Sequence, residues 1–216
     1  MKTEQQDFWK GEFGKEYTDR NTHSRDQWNK FYLDNWGDTK DEMNKKCFGN
    51  VLSPDSKILE VGCNTGMQLR CLQDMGYKDI YGIELQQYAV EQAKSHTENI
   101  NIIQGSGFDL PFRDGFFDMV CTNGVLIHIA PKDHHKIMDE MYRTSSKFIC
   151  GFEYYSEETK DINYRGNKGF LLKADFAQIF MDRFPDLKLV SKEMYPYVSE
   201  QEKGNTDYMY CLEKTS

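Results

Sequence analysis

The sequence predicts an α/β fold: a seven-stranded, mostly parallel sheet with a terminal antiparallel strand and an N-terminal helical cap. Three observations predict it. The stretch Ile58-Leu59-Glu60-Val61 is an apolar run ending in an acid, and Gly62-Cys63-Asn64-Thr65-Gly66 follows as a glycine turn before a helix start. The stretch Tyr81-Gly82-Ile83-Glu84 repeats the pattern of an apolar run closed by an acid. Between and beyond these runs, short apolar segments alternate with segments of helical periodicity, the signature of strand–helix–strand units.

The first unit carries the site. Branched and long apolar residues before the turn suit a strand buried on both faces. Gly62 and Gly66 bracket the turn, where glycine permits positive φ and close approach of a ligand. Met67–Gly76 then reads as a helix with Leu69, Leu72 and Met75 on one face, and its N-terminus offers free N–H groups to an electronegative ligand. This is a Rossmann-like arrangement. A dinucleotide fingerprint needs three glycines, but Asn64 stands in the middle position and Met67 in the third, which argues against a pyrophosphate on the turn. A smaller nucleoside with an amino acid tail, S-adenosylmethionine, fits better. Glu60 would attract its cationic end, and Glu84 would accept both ribose hydroxyls and repel a 2′-phosphate.

Residues 1–50 are polar and rich in aromatics. Trp9, Phe13 and Tyr17 are spaced to share one helix face, and Trp28, Phe31, Tyr32 and Trp36 mark a second segment. They form a helical cap over the cofactor site in this reading, with Tyr17 and Arg20 closing over the cofactor's carboxylate. Residues 51–216 form the main domain. Gln86–Ser95 is its next helix, and Leu85 just before it can pack on the adenine face. Asn99–Gln104 is the third strand, and Pro111 and the Arg113-Asp114-Gly115 turn precede the fourth, Phe117–Cys121, where Asp118 reads as a turn-fixing residue.

The segment from Thr122 to His128 leaves the carboxyl end of that strand, where ligands bind in open α/β sheets. Asn123 is placed to touch the cofactor. His128 is a candidate base for removing a proton from an acceptor, its alternative being a structural hydrogen bond. His134 and His135 read as solvent-facing. Asp133–Tyr142 is a helix and Lys147–Tyr154 the fifth strand. The polar stretch 155–172 reads as an acceptor-binding loop, with Arg165 holding an anionic acceptor and Tyr155 and Tyr164 stacking on it or hydrogen-bonding to it. Lys168 lies in the same stretch. Ala174–Phe184 is a helix, and Leu187–Tyr195 with Tyr208–Glu213 a terminal antiparallel hairpin.

Charge and composition narrow the classes. The net charge of −8 disfavours non-specific nucleic-acid binding, which needs clustered Lys and Arg. No apolar stretch approaches the ~18 residues of a membrane span, and the polar start carries no signal-peptide pattern, so a cytoplasmic location without membrane contact is expected. Six scattered cysteines without a C-x-x-C pair read as reduced and buried, with no metal site expected.

The ordered set Glu60–Gly66, Glu84, Gly105-Ser106-Gly107-Phe108-Asp109-Leu110-Pro111-Phe112 and Asp114-Gly115-Phe116-Phe117-Asp118 resembles the successive motifs of class I S-adenosylmethionine-dependent methyltransferases. The resemblance implies cofactor contacts from Glu60, Gly62, Cys63, Asn64, Gly66, Glu84, Leu85, Ser106, Gly107, Phe108 and Asn123. Two positions depart from the pattern: Asn64 replaces the central glycine, and Ser106 replaces the acid after Gly105, leaving the adenine contact to the Ser106 hydroxyl and the Gly107 and Phe108 backbone.

Phe8-Trp9-Lys10-Gly11-Glu12-Phe13-Gly14-Lys15-Glu16-Tyr17-Thr18-Asp19-Arg20-Asn21 is similar to the amino-terminal signature of the pseudaminic acid biosynthesis-associated methylase family. Asn123–Ile129, Tyr164-Arg165-Gly166-Asn167 and Lys173-Ala174-Asp175-Phe176 match the same group. That resemblance implies surface sugar biosynthesis and an acidic nonulosonic sugar, or its activated or amidated derivative, as acceptor. Another small anionic metabolite such as a phosphonate, or a binder of S-adenosylmethionine without turnover, are the alternatives. The oligomeric state is not encoded in a readable motif.

Overall fold

The computed structural model describes residues 3–166 and 169–215. Asn167 and Lys168 of the expected acceptor loop lie outside the described residues. The N-terminal helices are α1 (Glu4–Lys10), α2 (Glu12–Arg20), α3 (Arg25–Trp36) and α4 (Lys40–Phe48). The core follows as β1 (Lys57–Val61), α5 (Met67–Asp74), β2 (Asp79–Glu84), α6 (Gln87–His96), β3 (Asn101–Gln104), β4 (Phe117–Asn123), α7 (His134–Thr144) and β5 (Ser145–Tyr154). Then come β6 (Lys160–Asp161), β7 (Leu172–Lys173), α8 (Phe176–Arg183), β8 (Leu187–Pro196) and β9 (Thr206–Lys214). The seven-stranded sheet has the order β3-β2-β1-β4-β5-β9-β8, with β9 antiparallel to β5 and β8 antiparallel to β9. The small β6–β7 pair in the 155–172 stretch, which has no apolar alternation to announce it, is an addition to the expected fold.

Period-two alternation splits the core between the two faces of the sheet. Ile58, Ile80, Met119 and Phe148 face the α3–α6 side with Leu69, Leu72 and Val90. Leu59, Val61, Ile83 and Val120 face the α7–α8 side with Ile137, Met141, Phe176 and Phe180. Each such side chain, fully buried, contributes roughly 1.5–3 kcal/mol. Asp118, expected to fix the turn before β4, instead reaches the neighbouring strand: its Oδ2 accepts the Lys57 amide at 2.7 Å and pins the start of β1.

Two expectations are corrected. Trp9, Phe13 and Tyr17 are not on one helix, because the chain turns at Gly11, which ends α1 and caps α2. The corner still brings the rings together, with Trp9 5.5 Å from Phe13 and 5.2 Å from Tyr17, each edge to face. His134 is buried rather than solvent-facing: it opens α7 on the same inward stripe as Ile137, Met138 and Met141 and packs edge-on against Phe176.

Candidate cofactor and acceptor site

β1 and β4 are neighbours whose connections leave toward opposite sides of the sheet, so a crevice opens at their carboxyl ends. The crevice is a cavity of about 920 Å³ counting its open mouth. The glycine turn forms its floor. Gly62 has φ +76°, and a Cβ there would come within 2.6 Å of Val125 Cγ2. Asn64 also takes the left-handed region, at φ 43°, a conformation that asparagine tolerates better than most residues. The middle position of the turn therefore keeps the backbone geometry a glycine would allow. Gly66 caps α5 with no side-chain partner on the helix's first amides.

Glu84 sits at the end of β2 and joins the turn to the opposite wall. Its Oε2 accepts the Asn64 amide at 3.0 Å and its Oε1 the Gln86 amide at 2.9 Å. Burial raises its pKa, and the amide bonds from Gln86, Asn64 and Leu85 oppose that shift. Each oxygen keeps a lone pair beyond its amide bond, and Glu84 lines the cavity. A close-approach turn beside a carboxylate fits a neutral nucleoside diol and not a phosphate. Leu85, Gly105, Ser106, Gly107, Phe108 and Ile137 form the wall beyond it.

Glu60 lies beneath the floor, 3% exposed. Its Oε1 accepts from Asn123 Nδ2 at 3.1 Å, while Oε2 has no partner. Burial pushes its carboxyl up to about 8, against the pull of the Asn123 hydrogen bond and of Lys40. An unpartnered buried carboxylate oxygen suits a cationic ligand close by.

The roof is α1 and α2. Gln6 Nε2 donates to Ser106 Oγ at 2.8 Å, and Gln86 Nε2 donates to the carbonyls of Trp9 and Gly11 at 3.2 and 3.0 Å. Thr18 Oγ1 lies 3.0 Å from Asn64 Oδ1. Trp9, Gly14, Tyr17 and Thr18 thus face the cavity. Burial raises the Tyr17 phenol far above its usual range, so it remains a hydrogen-bond donor. Gln6, Thr18 and Gln86 were missed in the sequence because polar residues on an amphipathic helix read as a solvated face.

At the far end stands His128. Its Nδ1 is 2.7 Å from the carbonyl of Phe170, which can only accept, so the proton resides on Nδ1 and Nε2 carries a lone pair. Burial lowers the ring's pKa to about 4, so it is neutral at physiological pH. Trp9 and Tyr164 pack on it at 4.6 and 5.4 Å. Glu153 holds the loop that carries His128, accepting the amides of Val125, Leu126 and Ile127 at 3.3, 3.3 and 3.4 Å. Burial pushes this carboxyl up to about 7. Its sequence signal, an acid closing the apolar run of β5, is the one that singled out Glu60 and Glu84.

Of the sequence candidates, Tyr17, Gly62, Asn64, Glu84, Leu85, Ser106, Gly107, Phe108, Asn123 and His128 line the cavity. Glu60 and Gly66 support it from behind. Cys63 is buried behind the turn, its sulfur pressed toward Gly82. Arg20 is exposed, 3.5 Å from Glu16 and over the Phe13 ring. Arg165 is exposed beside Tyr164, at φ 50°. Tyr155 packs against Tyr208 under the Lys192 amine, outside the cavity wall. All six cysteines are free and buried. Among the described residues no His/Cys/Asp/Glu group is arranged for a metal, and no helix is long and apolar enough to cross a membrane.

The sheet order, the glycine turn and the paired acids are those of a Rossmann-like methyltransferase fold, whose cofactor is S-adenosylmethionine. Residues 59–147 match the family model for a methyltransferase domain. An uncharacterized methyltransferase of Synechocystis is 29% identical over 93 residues, 43% of this chain and 43% of that protein. A 24-methylenesterol C-methyltransferase of Arabidopsis thaliana is 29% identical over 98 residues, 43% of this chain and 27% of that protein. The matches thus span less than half the length of these curated relatives. The solved 1,6-didemethyltoxoflavin-N1-methyltransferase of Burkholderia thailandensis superposes with TM-score 0.61 over 75% of this chain and 72% of that one. At 13% identity that likeness shows the shared fold.

The buried acids make stability pH-dependent. Glu60 and Glu153 have folded pKa values raised from 4.5 to about 8 and about 7, so the stability they lend as neutral acids is full below 4.5 and lost as pH rises through 7 and 8. His128 is depressed from 6.5 to about 4, so its contribution is full above 6.5 and lost as pH falls toward 4. The Lys40 amine, lowered to about 8, acts only above that pH. Through these groups cofactor-free protein is therefore expected to lose stability as pH rises from ~6 to ~8, on the order of a few kcal/mol or roughly 5–10 °C in Tm. Calorimetry across that range checks it. A flat Tm would mean these carboxyls ionise as they do in water.

Proposed function

We propose that the chain methylates a small acidic metabolite, a nonulosonic sugar of the pseudaminic type or its activated or amidated derivative, using S-adenosylmethionine. The observation that carries the small-molecule reading is the roof. Gln6–Ser106 and Gln86–Trp9 tie α1 across the cavity from wall to wall, so an acceptor must fit beneath it. The net charge of −8 opposes a polyanionic acceptor. The acidic-sugar reading is supported by the aromatic faces of Trp9, Phe13 and Tyr164 around His128, with Arg20 and Arg165 both acting on the Tyr164 hydroxyl. Sugar rings stack on such faces, and guanidinium groups hold carboxylates.

In this reading residues 1–50 are the cap, 51–216 the catalytic domain and 155–172 the acceptor loop. Bound S-adenosylmethionine supplies a methyl group on a positively charged sulfur. Glu84 accepts the ribose hydroxyls. Leu85, Ser106, Gly107 and Phe108 enclose the base, and Tyr17 and the glycine turn face the amino acid end. His128 presents its bare Nε2 to the acceptor's hydroxyl and orients it, and its low basicity suits a proton that leaves late in the transfer. Alignment of the acceptor is the main contribution, worth up to ~7–11 kcal/mol in favourable cases. Arg165→Ala is expected to raise the acceptor's KM about tenfold or more and to leave cofactor affinity intact, since its guanidinium stands outside the cofactor cavity.

The test uses methyl-labelled S-adenosylmethionine with free and nucleotide-activated nonulosonic acids and a set of phosphonates, and Glu84→Ala as control. Wild-type-dependent label in a nonulosonic acid supports the reading. Label confined to a phosphonate overturns the sugar assignment. Cofactor binding with no transfer to any acidic metabolite overturns the catalytic one in favour of a binder.

A further inference from the structure

Lys40 opens α4 and is fully buried. Its Nζ lies 4.0 Å from the centre of the Phe152 ring, 5.3 Å from that of Tyr32 and 3.9 Å from Met209 Sδ. No carboxylate touches it among the described residues. A buried ammonium without an oxygen partner is costly, and ring faces offset part of that cost. The cofactor cavity gives a reason for keeping it.

Glu60 on β1, Asn123 on β4 and Phe152 on β5 lie on the same face of three adjacent strands as Ile58, Cys121 and Phe148, with Asn123 and Phe152 in register, so the Lys40 amine over the Phe152 ring stands on the side of the sheet that Glu60 faces. Glu60 Oε2 is unpartnered and its Oε1 holds Asn123 Nδ2. An ionised Glu60 can only accept. Asn123 must then give its NH₂ group to Glu60 and turn its carbonyl oxygen the other way, into the cavity it lines. A protonated Glu60 can also donate, and the amide can then face either way.

We propose that Lys40 is a positioning residue of the cofactor site: its buried ammonium favours the ionised form of Glu60, and through Glu60 it aims the Asn123 carbonyl oxygen at the cofactor's cationic end. The proposal rests on reading the cavity as the S-adenosylmethionine site. The charged and titratable groups around the pair are consistent with it. Toward Glu60, Lys40 acts against burial and Glu84. Toward Lys40, Cys71, Glu60, Cys47 and Cys121 favour the ammonium against burial. Tyr32 and Asp207 flank the pair, each sensing one member of it.

The sign follows directly. Cofactor affinity tracks ionised Glu60, so it rises with pH. Without Lys40 the rise moves to higher pH. Titration calorimetry of Lys40→Met with S-adenosylmethionine is expected to show an affinity about tenfold weaker at pH ~7.5 and a midpoint of the pH dependence raised by about one unit. Its Tm is expected to be equal or higher, because an uncompensated charge has left the core. Glu60→Gln is expected to abolish the pH dependence, and Lys40→Met added to it to change affinity no further. Should Lys40→Met fail to fold, Glu60→Gln alone decides, a retained pH dependence overturning the proposal. Wild-type affinity and pH profile in Lys40→Met would overturn it, as would full additivity of the two substitutions. Failure of the wild type itself to bind S-adenosylmethionine or S-adenosylhomocysteine would instead remove the cofactor reading.

Discussion

Replacing Glu84 with alanine is expected to weaken S-adenosylmethionine binding by about 100-fold or more. Two effects combine. The carboxylate oxygens that face the cavity disappear, and each charge-assisted hydrogen bond to a ribose hydroxyl is worth roughly 1.5–3 kcal/mol. The Asn64 and Gln86 amides, held at 3.0 and 2.9 Å, also lose their acceptor, so the glycine turn loosens. His128→Ala is expected to change cofactor affinity far less, because the ring stands at the acceptor end beside Trp9 and Tyr164. Titration calorimetry on both variants checks this. Wild-type affinity in Glu84→Ala would sink the assignment of the ribose contact.

The second large effect is expected at the roof. Gly14 is buried in α2 where the helix turns under α1. A Cβ there would lie 1.9 Å from the Trp9 carbonyl oxygen and 2.9 Å from Gln86 Nε2. Backbone cannot yield at that distance, so Gly14→Ala must part α1 from α2 and release Gln86 from Trp9 and Gly11. Cofactor dissociation is expected to accelerate about tenfold or more, as the loss of two hydrogen bonds to a buried amide implies. The sheet is untouched, so the main thermal transition should move by no more than about 2–4 °C. Stopped-flow release of S-adenosylhomocysteine measures the first and calorimetry the second. An unchanged release rate would mean that α1 and α2 do not retain the cofactor.

The fold was legible because its signals are local. Runs such as Ile58–Val61 and Phe117–Cys121 are apolar but for one acid each, and the glycine turn and the acids near the ends of β1 and β2 occupy positions set by a few neighbouring residues. The antiparallel β8–β9 hairpin was legible for the same reason. Arg20 and Tyr155 show where local reading fails. Both are the right chemical type near the right motif, yet helix phase turns Arg20 outward over Phe13, and the strand end turns Tyr155 onto Tyr208. His134 shows the reverse, a polar residue drawn inward by the stripe it shares with Ile137 and Met141.

By itself, then, the sequence determined the mostly parallel sheet with its terminal antiparallel hairpin, the glycine turn and the identity of the acids at the strand ends. Backbone propensity and apolar period act over a few residues, and those features need no more. Tertiary structure alone decided which polar groups became a site. It set Gln6 on Ser106, 100 residues away in the chain, and Gln86 on Trp9, 77 residues away. It fixed the His128 proton on Nδ1 through Phe170, and it enclosed Lys40 behind Glu60. Charge and tautomer depend on burial and on partners brought together by packing, and neither is a property of the local chain.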